Sequence, residues 1–253
     1  MRHYHRLGLC VQDSIQSSGM AKTSVKRAGR TPLAEEIAGR ASLAQTIAAS
    51  IEADIVLGRR HPRERLIEQD LSEQFATHRG DVRLALFELE KKGLIQRVPN
   101  RGATVRDLTP NEVREIYDVR ENLEVMAVRI LPFPVPKDDI VRLEAVQREH
   151  SAAVNAGDVL AVYNCNIRFH RELLGLCGNA CLIETIEHLA QKVSSIRSYA
   201  HADLASLDNS RRDHVAMIEA LKHSRRHELA TLTRRHLKPA PEAYIRAYRQ
   251  RFG

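Results

Sequence analysis

The sequence predicts a mainly α-helical protein with two domains, an N-terminal winged helix-turn-helix and a C-terminal all-α helical bundle. Helical spacing of apolar residues, broken by one tight turn, precedes two short β-prone runs. After residue 108 the helical spacing returns and no convincing strand follows. A chain of 253 residues is long enough for two domains with separate cores. We therefore expect a winged helix-turn-helix at residues 41–108, an all-α domain at residues 109–253, and a disordered basic arm at residues 1–40.

The arm at residues 1–40 is polar and basic and has no sustained apolar period, which predicts disorder. It carries 7 Lys and Arg residues against 3 Asp and Glu residues, which is +4 of the formal net charge of +7. Residues 41–108 carry only +1, and residues 109–253 carry +2. Nucleic-acid binding by the first domain must therefore be argued from individual side chains rather than from net charge.

The first domain is predicted to begin with an amphipathic helix that ends at Gly58. Its apolar positions recur every four residues, at Leu43, Ile47, Ile51 and Ile55. Ser42 is a residue type that caps helix N-termini well, so we expect the helix to begin there.

A helix-turn-helix follows. Leu66, Leu71 and Phe75 fit a short helix, and residues 76–78 form the turn. The second helix is predicted to end at Lys92, with Gly93 as the stop, since glycine tolerates the left-handed conformation that ends many helices. Its apolar positions are Val82, Ala85, Leu86 and Leu89.

Two short β-prone runs, residues 94–98 and 103–105, flank a turn at residues 99–102, which predicts a hairpin wing. The second helix of such a motif presents its first turns to the major groove, where Arg79 and Arg83 stand one turn apart beside His78. Arg101 and Gly102, at the tip of the wing, could reach an adjacent groove or the DNA backbone. The alternative is a small helical core with solvated arginines.

The chain resembles the GntR family of bacterial transcription regulators in this stretch. The resemblance covers positions from Pro62 to Ala103 and includes the two arginines and the run Pro99–Asn100–Arg101–Gly102–Ala103. It implies a homodimer that binds double-stranded DNA at a palindromic operator, usually as a repressor. The chain departs from the family pattern at Ala76, His78, Gly80, Asp81 and Leu84. Asp81 is expected to place a negative charge near DNA phosphate.

Thr109, Pro110 and Glu112 predict the start of the second domain, since they form a capping box with proline at the first helical position. Arg120 and Glu124 lie on the apolar face of the helix that follows. Charged groups on such a face are costly unless they are paired or line a polar cavity. An internal ion pair and a contact with a bound effector are therefore the two alternatives.

The rest of the second domain is predicted to be helical after a proline-rich break at residues 131–139. The predicted helices are residues 138–156, 158–176, 180–200, 210–223 and 225–249. Residues 109 to about 240 resemble the FadR-type effector domain of one branch of the GntR family.

Three histidines and one asparagine are predicted to face the interior of this bundle: Asn166, His170, His214 and His236. Imidazole groups in a core suit a divalent transition metal, with zinc as the first choice and nickel or manganese as alternatives. Core histidines that are satisfied by hydrogen bonds are the other interpretation. The resemblance favours the metal, because a metal-binding subset of these effector domains has Asp or Asn four residues before a His, then two later His residues.

The resulting hypothesis is a DNA-binding regulator, not an enzyme, and the resemblance implies that a small carboxylate metabolite controls it at the metal site. A metal-dependent hydrolase that uses Glu184 or Glu187, or a pure metal-ion sensor, would use the same histidines. The sequence has no run of apolar residues of bilayer length and no signal-peptide core, so we expect a cytoplasmic protein without a membrane partner.

Overall fold

The structure, a computed structural model, describes residues 32–98, 102–196 and 204–252. Its first helix, α1, runs from Pro32 to Val56 and continues through Ser42, which is therefore not the N-cap. Residues 32–40 of the arm are helical, so the prediction of disorder is wrong there, and residues 1–31 lie outside the described residues. Leu43, which was expected to face the core, is exposed, and its neighbour Ala44 is buried instead.

The helix-turn-helix consists of α2 (Glu68–Gln74) and α3 (Arg79–Lys91). The wing is a three-stranded antiparallel sheet in the order β1–β3–β2, formed by β1 (Arg65–Leu66), β2 (Ile95–Val98) and β3 (Gly102–Val105). Residues of α1, α2, α3 and all three strands share one apolar core. The predicted winged helix-turn-helix is confirmed.

The sequence did not predict β1, because Leu66 was assigned to the first helix of the motif. Leu66 instead pairs with Ala103 in the sheet, and its side chain is buried in the core. A single buried residue at the edge of a helical pattern fits a short strand as well as a helix. Arg101, predicted at the tip of the wing, lies outside the described residues, and Gly102 is exposed at the start of β3.

The second domain is all-α, as predicted. Its helices are α4 (Pro110–Ile130), α5 (Lys137–Ala156), α6 (Val159–Gly175), α7 (Ala180–Lys192), α8 (Leu204–Lys222), α9 (Arg226–His236) and α10 (Pro239–Phe252). The capping box at Thr109 and Glu112 forms as expected. Within the ranges that the structure describes, no helix is both long enough and apolar enough to cross a bilayer.

Three predicted helix bounds are wrong. The helix expected at residues 180–200 ends at Lys192 and is followed by a short 3₁₀ turn (Ser194–Ile196). The helix expected from residue 210 begins at Leu204. The single helix expected at residues 225–249 is two helices, α9 and α10, which are separated at Leu237 and Lys238.

The two domains contact each other behind the helix-turn-helix. Gly93, which follows α3, has φ of +69°, and a Cβ atom on it would lie 2.7 Å from the backbone oxygen of Gln191 at the end of α7. The hydroxyl oxygen of Ser194 lies 3.2 Å from the backbone oxygen of Lys92 and 2.6 Å from that of Gln191. Only glycine fits both the backbone conformation and this close approach. The end of α3 therefore lies directly on the second domain.

Candidate metal and effector site

His170, His214 and His236 come together inside the helical bundle from α6, α8 and α9. The Nε2 atom of His236 lies 3.0 Å from Nε2 of His170 and 3.3 Å from Nε2 of His214. His214 is fully buried, and its ring stacks on Phe169 with 4.0 Å between the ring centroids. The same ring nitrogen of all three histidines therefore points to one position.

Two neighbouring side chains orient these rings. Gln147 donates from Nε2 to the backbone oxygen of Arg211 at 3.4 Å, which leaves Oε1 to accept from Nδ1 of His214 at 3.0 Å. The carboxylate of Asp213 faces Nδ1 of His236 at 3.4 Å. In the tautomer with the proton on Nδ1, which both contacts favour, the lone pairs of the two Nε2 atoms face the centre of the cluster.

Asp213 is held in its charged form. Burial acts to raise the pKa of its carboxyl group, but hydrogen bonds with His236 and Arg235 outweigh burial and keep the pKa below the usual value. A charged carboxylate is the better acceptor for the Nδ1 proton of His236. This support is typical of metal-ligating histidines.

The cluster has the chemistry of a metal site. Nε2 atoms at these separations can share an N–H···N hydrogen bond or ligate one cation between them. Tetrahedral zinc with Zn–N bonds of about 2.0–2.1 Å holds its ligand nitrogens about 3.3 Å apart. This is close to the distances from Nε2 of His236 to Nε2 of His170 and of His214. Asn166 is buried and lines the same cavity as His170 and His236, so its amide oxygen is available as a further ligand. The predicted residues thus fit a divalent transition metal.

Two small cavities meet at this cluster, each with a volume of about 90 Å³. The first, which we call the polar cavity, is lined by Asn166, His170, His236 and Asp213 together with hydroxyl and amide groups of α8. The second, which we call the apolar cavity, lies between α4, α6 and α7. Arg120 and His170 line both cavities and so form the wall between them.

Arg120 and Glu124 form a buried ion pair, with side chains that are 5% and 1% exposed. Both Nε and Nη2 of Arg120 donate to Oε1 of Glu124, at 3.1 and 2.7 Å. Burial opposes the charge of Arg120, but the nearby carboxylate of Glu124 more than compensates and raises the pKa of the guanidinium. The guanidinium group of Arg120 is therefore bound to Glu124, and its Cζ atom lies 4.8 Å from the centroid of the Tyr117 ring.

The predicted DNA-reading residues lie on the exposed surface of the helix-turn-helix. His78 is exposed immediately before α3, Arg79 donates to Gln69 at 2.8 Å, and Arg83 pairs with Glu68 at 2.8 Å. The Arg83 side chain is 61% exposed, and an exposed ion pair of this kind contributes little to stability. Arg83 can therefore exchange Glu68 for a phosphate or a base.

Asp81 is buried rather than exposed on the surface of α3, contrary to the expectation that its charge would lie near phosphate. Its carboxylate accepts a hydrogen bond from Nε of Arg40 at 3.0 Å and another from the hydroxyl of Thr77 at 2.9 Å. The hydrogen bond from Arg40 holds the pKa of this carboxyl group below its usual value. Asp81 therefore fastens α3 to α1.

Comparison with known proteins agrees with this architecture. The model of the bacterial regulatory proteins of the gntR family matches residues 43–105, and the model of the FCD domain matches residues 115–239. The chain belongs to the GntR family. Its two matched regions lie on either side of the predicted domain boundary at residue 109.

The relatives of this GntR protein are transcription regulators. It is 27% identical to the uncharacterized HTH-type transcriptional regulator YdhC of Bacillus subtilis over 166 residues, 65% of this chain and 74% of that protein. It is 24% identical to the HTH-type transcriptional repressor RspR of Escherichia coli over 200 residues, 79% of this chain and 87% of that protein. The solved structure of E. coli McbR/YncC has the same fold, with a TM-score of 0.68, 22% identity, and coverage of 81% of this chain and 98% of that chain.

The chain is therefore a transcriptional regulator of the GntR family with an FCD effector-binding domain, and it is not an enzyme. The sequence also raised a hydrolase that would use a glutamate beside the histidines as a base. Of the two candidate bases, Glu187 pairs with Arg171 at 2.8 Å and Glu184 is exposed.

The sequence missed Gln147, Asp213 and His150 at this site. Gln147 lies 67 residues from the histidine it orients, so no local spacing pointed to it. His150 is fully buried, and its ring centroid lies 4.9 Å from that of His214. Gln147 and His150 both lie on the inward face of α5, so a polar residue on an apolar helix face was the one signal that the sequence offered for them.

Proposed function

We propose that this chain is a repressor that binds a palindromic operator as a homodimer, and that a small carboxylate metabolite controls its DNA affinity. In this proposal Asn166, His170, His214 and His236 hold one divalent metal ion, with zinc as the first choice. The observation that carries the proposal is the convergence of three Nε2 atoms, two of them oriented by Gln147 and Asp213. The bound metal supplies a Lewis-acidic position for a carboxylate oxygen.

The polar cavity is the proposed entrance for the carboxylate. It reaches His170, His236 and Asn166, and its other lining side chains include the hydrogen-bonding groups Ser206, Asn209 and Ser210. A volume of about 90 Å³ suits a small metabolite rather than a long one. The ligand changes DNA affinity only by as much as it prefers one arrangement of the two domains over the other.

His78, Arg79, Arg83 and the wing residues Arg101 and Gly102 are the proposed DNA contacts. The argument for the first three is exposure at the beginning of α3, where a recognition helix approaches base edges. Among the contacts described above, Arg79 and Arg83 each bind one side chain of α2 at the surface. Contacts of this kind contribute little to stability, so breaking them to bind DNA costs little free energy.

The homodimer is proposed to form along α4. Val119, Met126 and Ile130 lie on one face of this helix and are all exposed, although the opposite face is packed into the bundle. An apolar stripe of this kind is unusual on a monomer and suits an interface with a second copy. Two copies related by a two-fold axis would explain a palindromic operator.

The sign of regulation is proposed from the relative RspR, which is named a repressor. The rival to an effector-responsive repressor is a pure metal-ion sensor, which uses the same histidines. The polar cavity favours an effector, because a sensor for the ion alone needs no adjoining space for a ligand.

The test begins with selection of the operator from randomised duplexes by the full-length protein. The affinity for the selected duplex is then measured by fluorescence anisotropy with zinc-loaded protein, with chelated protein, and with a panel of small carboxylates. We expect an inverted repeat and a loss of affinity with one carboxylate that requires zinc. A response to zinc alone, with no carboxylate effect, would replace the proposal with the metal sensor.

His214→Ala is the matched variant for this test. His214 lies in the bundle and has no contact with the helix-turn-helix among its described contacts, so basal DNA affinity should persist while the carboxylate response disappears. His188→Ala, at an exposed position on α7, is the control and should behave as wild type.

A further inference from the structure

The exposed face of α3 carries two apolar side chains. Leu84 and Phe87 are 48% and 49% exposed and lie one helical turn apart, whereas the other apolar residues of this helix are buried in the core of the first domain. Exposed apolar residues are common on protein surfaces, so what matters is the position of these two. The second helix of a helix-turn-helix lies in the major groove, so the pair is on the element that approaches base edges.

The spacing of the exposed positions on α3 is that of a DNA-reading helix. Four positions follow one another at intervals of three, one and three residues on the side of the helix away from the core: Gly80, Arg83, Leu84 and Phe87. Recognition helices contact base edges from positions at this spacing. Leu84 and Phe87 therefore occupy two of the four positions that approach the bases.

Positive groups lie at both ends of the apolar pair. Nη2 of Arg40 lies 3.2 Å from the position that a Cβ atom of Gly80 would take, one turn before the pair begins. At the other end, Nζ of Lys91 lies 5.6 Å from the ring centroid of Phe87 and 3.6 Å from the carboxylate of Glu88. Cationic groups bind phosphate oxygens and fix the register of a protein on DNA. Positive charge around the pair suits DNA better than the apolar surface of a second protein.

The chemistry of the two side chains selects one base. In the major groove thymine presents a C5 methyl group, whereas the other three bases present hydrogen-bond donors and acceptors alone. Leu84 and Phe87 have no polar side-chain atom, so against another base they would cover donors or acceptors without replacing the lost hydrogen bonds to water. Against a thymine methyl group, apolar surface is buried on both sides of the contact.

We propose that Leu84 and Phe87 read the methyl groups of thymines in two neighbouring base pairs of each operator half-site. The two residues are separated by about 4.5 Å along the helix axis and successive base pairs by about 3.4 Å along the DNA, so neighbouring pairs are within reach. The inference rests on the proposed DNA contact of α3 and deepens it, because it states which base this helix selects. The chain departs from the family pattern at Leu84, so the preference belongs to this chain.

The test replaces each thymine of the selected operator in turn by deoxyuridine, which keeps the base pair and removes only the methyl group. Affinity for full-length protein is measured by fluorescence anisotropy. We expect two neighbouring base pairs in each half-site at which loss of one methyl group weakens binding by about fourfold. Arg83→Ala, measured in parallel, should weaken binding to the thymine and the uracil duplexes by the same factor.

Two variants assign the effect to its side chains. Leu84→Ala should abolish the difference between thymine and uracil at one of the two base pairs, and Phe87→Ala should abolish it at the other. Both side chains are exposed, so the fold should persist. Val141→Ala removes an exposed apolar side chain from α5 and is the control, which should keep both differences.

Three results would overturn the inference: no uracil substitution that weakens binding, thymine preferences that persist in both alanine variants, or a lower molar mass of either variant in light scattering. The last result would assign the pair to a contact between copies of the chain. If Arg83→Ala still weakens binding when uracil has no effect, the proposed DNA contact of α3 survives and only the thymine reading fails. Failure to select any duplex would overturn the proposed function and this inference with it.

Discussion

His150 is a fully buried histidine whose two ring nitrogens have no hydrogen-bond partner among the described residues. Burial is the main cause of a pKa lowered to about 4, and the nearby His236 and Arg211 lower it further. The ring is therefore neutral at ordinary pH. Its N–H and lone pair both lie in the core without a partner, which costs stability.

We predict that His150→Leu raises the free energy of unfolding by about 1 kcal/mol at neutral pH. The unfolded chain takes up a proton at this position near pH 6.5 and the folded chain only near pH 4, so falling pH favours unfolding across that interval. The variant should lack this loss, which reaches about 3 kcal/mol in wild type by pH 4. Denaturant unfolding of chelated protein at several pH values measures it. His188→Leu, at an exposed position, should keep the wild-type slope, and an unchanged slope in His150→Leu would refute the prediction.

Arg83 provides the residue-scale prediction for DNA binding. Arg83→Ala should reduce discrimination between the selected operator and unrelated duplex by about 1–3 kcal/mol, because a bidentate contact to a base is lost. The fold should be unaffected, since this side chain is exposed and its ion pair is with Glu68 at the surface. Arg59→Ala, another exposed and ion-paired arginine, is the control in a salt-dependent anisotropy titration. Unchanged affinity and an unchanged salt slope would exclude Arg83 from the DNA contact.

The site residues that the sequence predicted share a local signal, and those it missed do not. His170 and Asn166 could be chosen because a spacing of four residues puts them on one helix face. Gln147 acts through a contact 67 residues away, which no local pattern encodes. Asp81 was misjudged for the same reason, because its partner Arg40 lies on α1, 41 residues earlier.

At the scale of elements, the turn at Gly93 joins the reading helix to the second domain. Gly157 has nearly the same positive φ, +67° against +69°, but its Cβ position has no atom within 4 Å. The two glycines therefore separate the cost of backbone strain from the cost of the clash with Gln191.

We predict that Gly157→Ala lowers the free energy of unfolding by about 1–2 kcal/mol, from the left-handed backbone alone. Gly93→Ala should cost more, because the added methyl meets backbone atoms that cannot rotate away. It should also loosen the domains, which would appear as faster proteolysis at residues 106–108. Equal losses in the two variants, measured by denaturant unfolding, would show that the contact with Gln191 has no energetic weight.

Element types were predictable where local chemistry is strong, as in the capping box at Thr109 and the prolines that separate α4 from α5. Bounds were less predictable where neighbouring elements decide them. The strand at Leu66 exists only because β3 pairs with it. The break at Leu237 and Lys238, by contrast, had a local signal that the single predicted helix overlooked, since Pro239 is the first residue of α10 and proline is disfavoured inside a helix.

At the scale of the whole molecule, the exposed stripe on α4 predicts the oligomeric state. Met126→Glu should convert a dimer to a monomer, because a charge in an apolar interface is costly. Val141→Glu, which is exposed on α5 away from the stripe, is the control and should remain dimeric. Light scattering after size exclusion gives the mass of each. A monomeric wild type, or a dimeric Met126→Glu, would refute an interface along α4.

The architecture of the whole molecule was predictable because each domain has a distinct pattern, a broken helical period with a β hairpin and then helices alone. The contacts between the two domains were not predictable, since those of Ser194 with Lys92 and of Tyr244 with Leu108 each span more than a hundred residues. The first of these contacts lies at the end of α3, and the second lies just before α4.

The central claim is that side chains from α6, α8 and α9 hold one divalent ion. The most direct measurement is the zinc content per chain after reconstitution with stoichiometric zinc and removal of unbound metal. We predict one zinc per chain for the wild type and almost none for His214→Ala, with His188→Ala as wild type. A wild type that retains no zinc, or a His214→Ala variant that retains as much, would contradict the account.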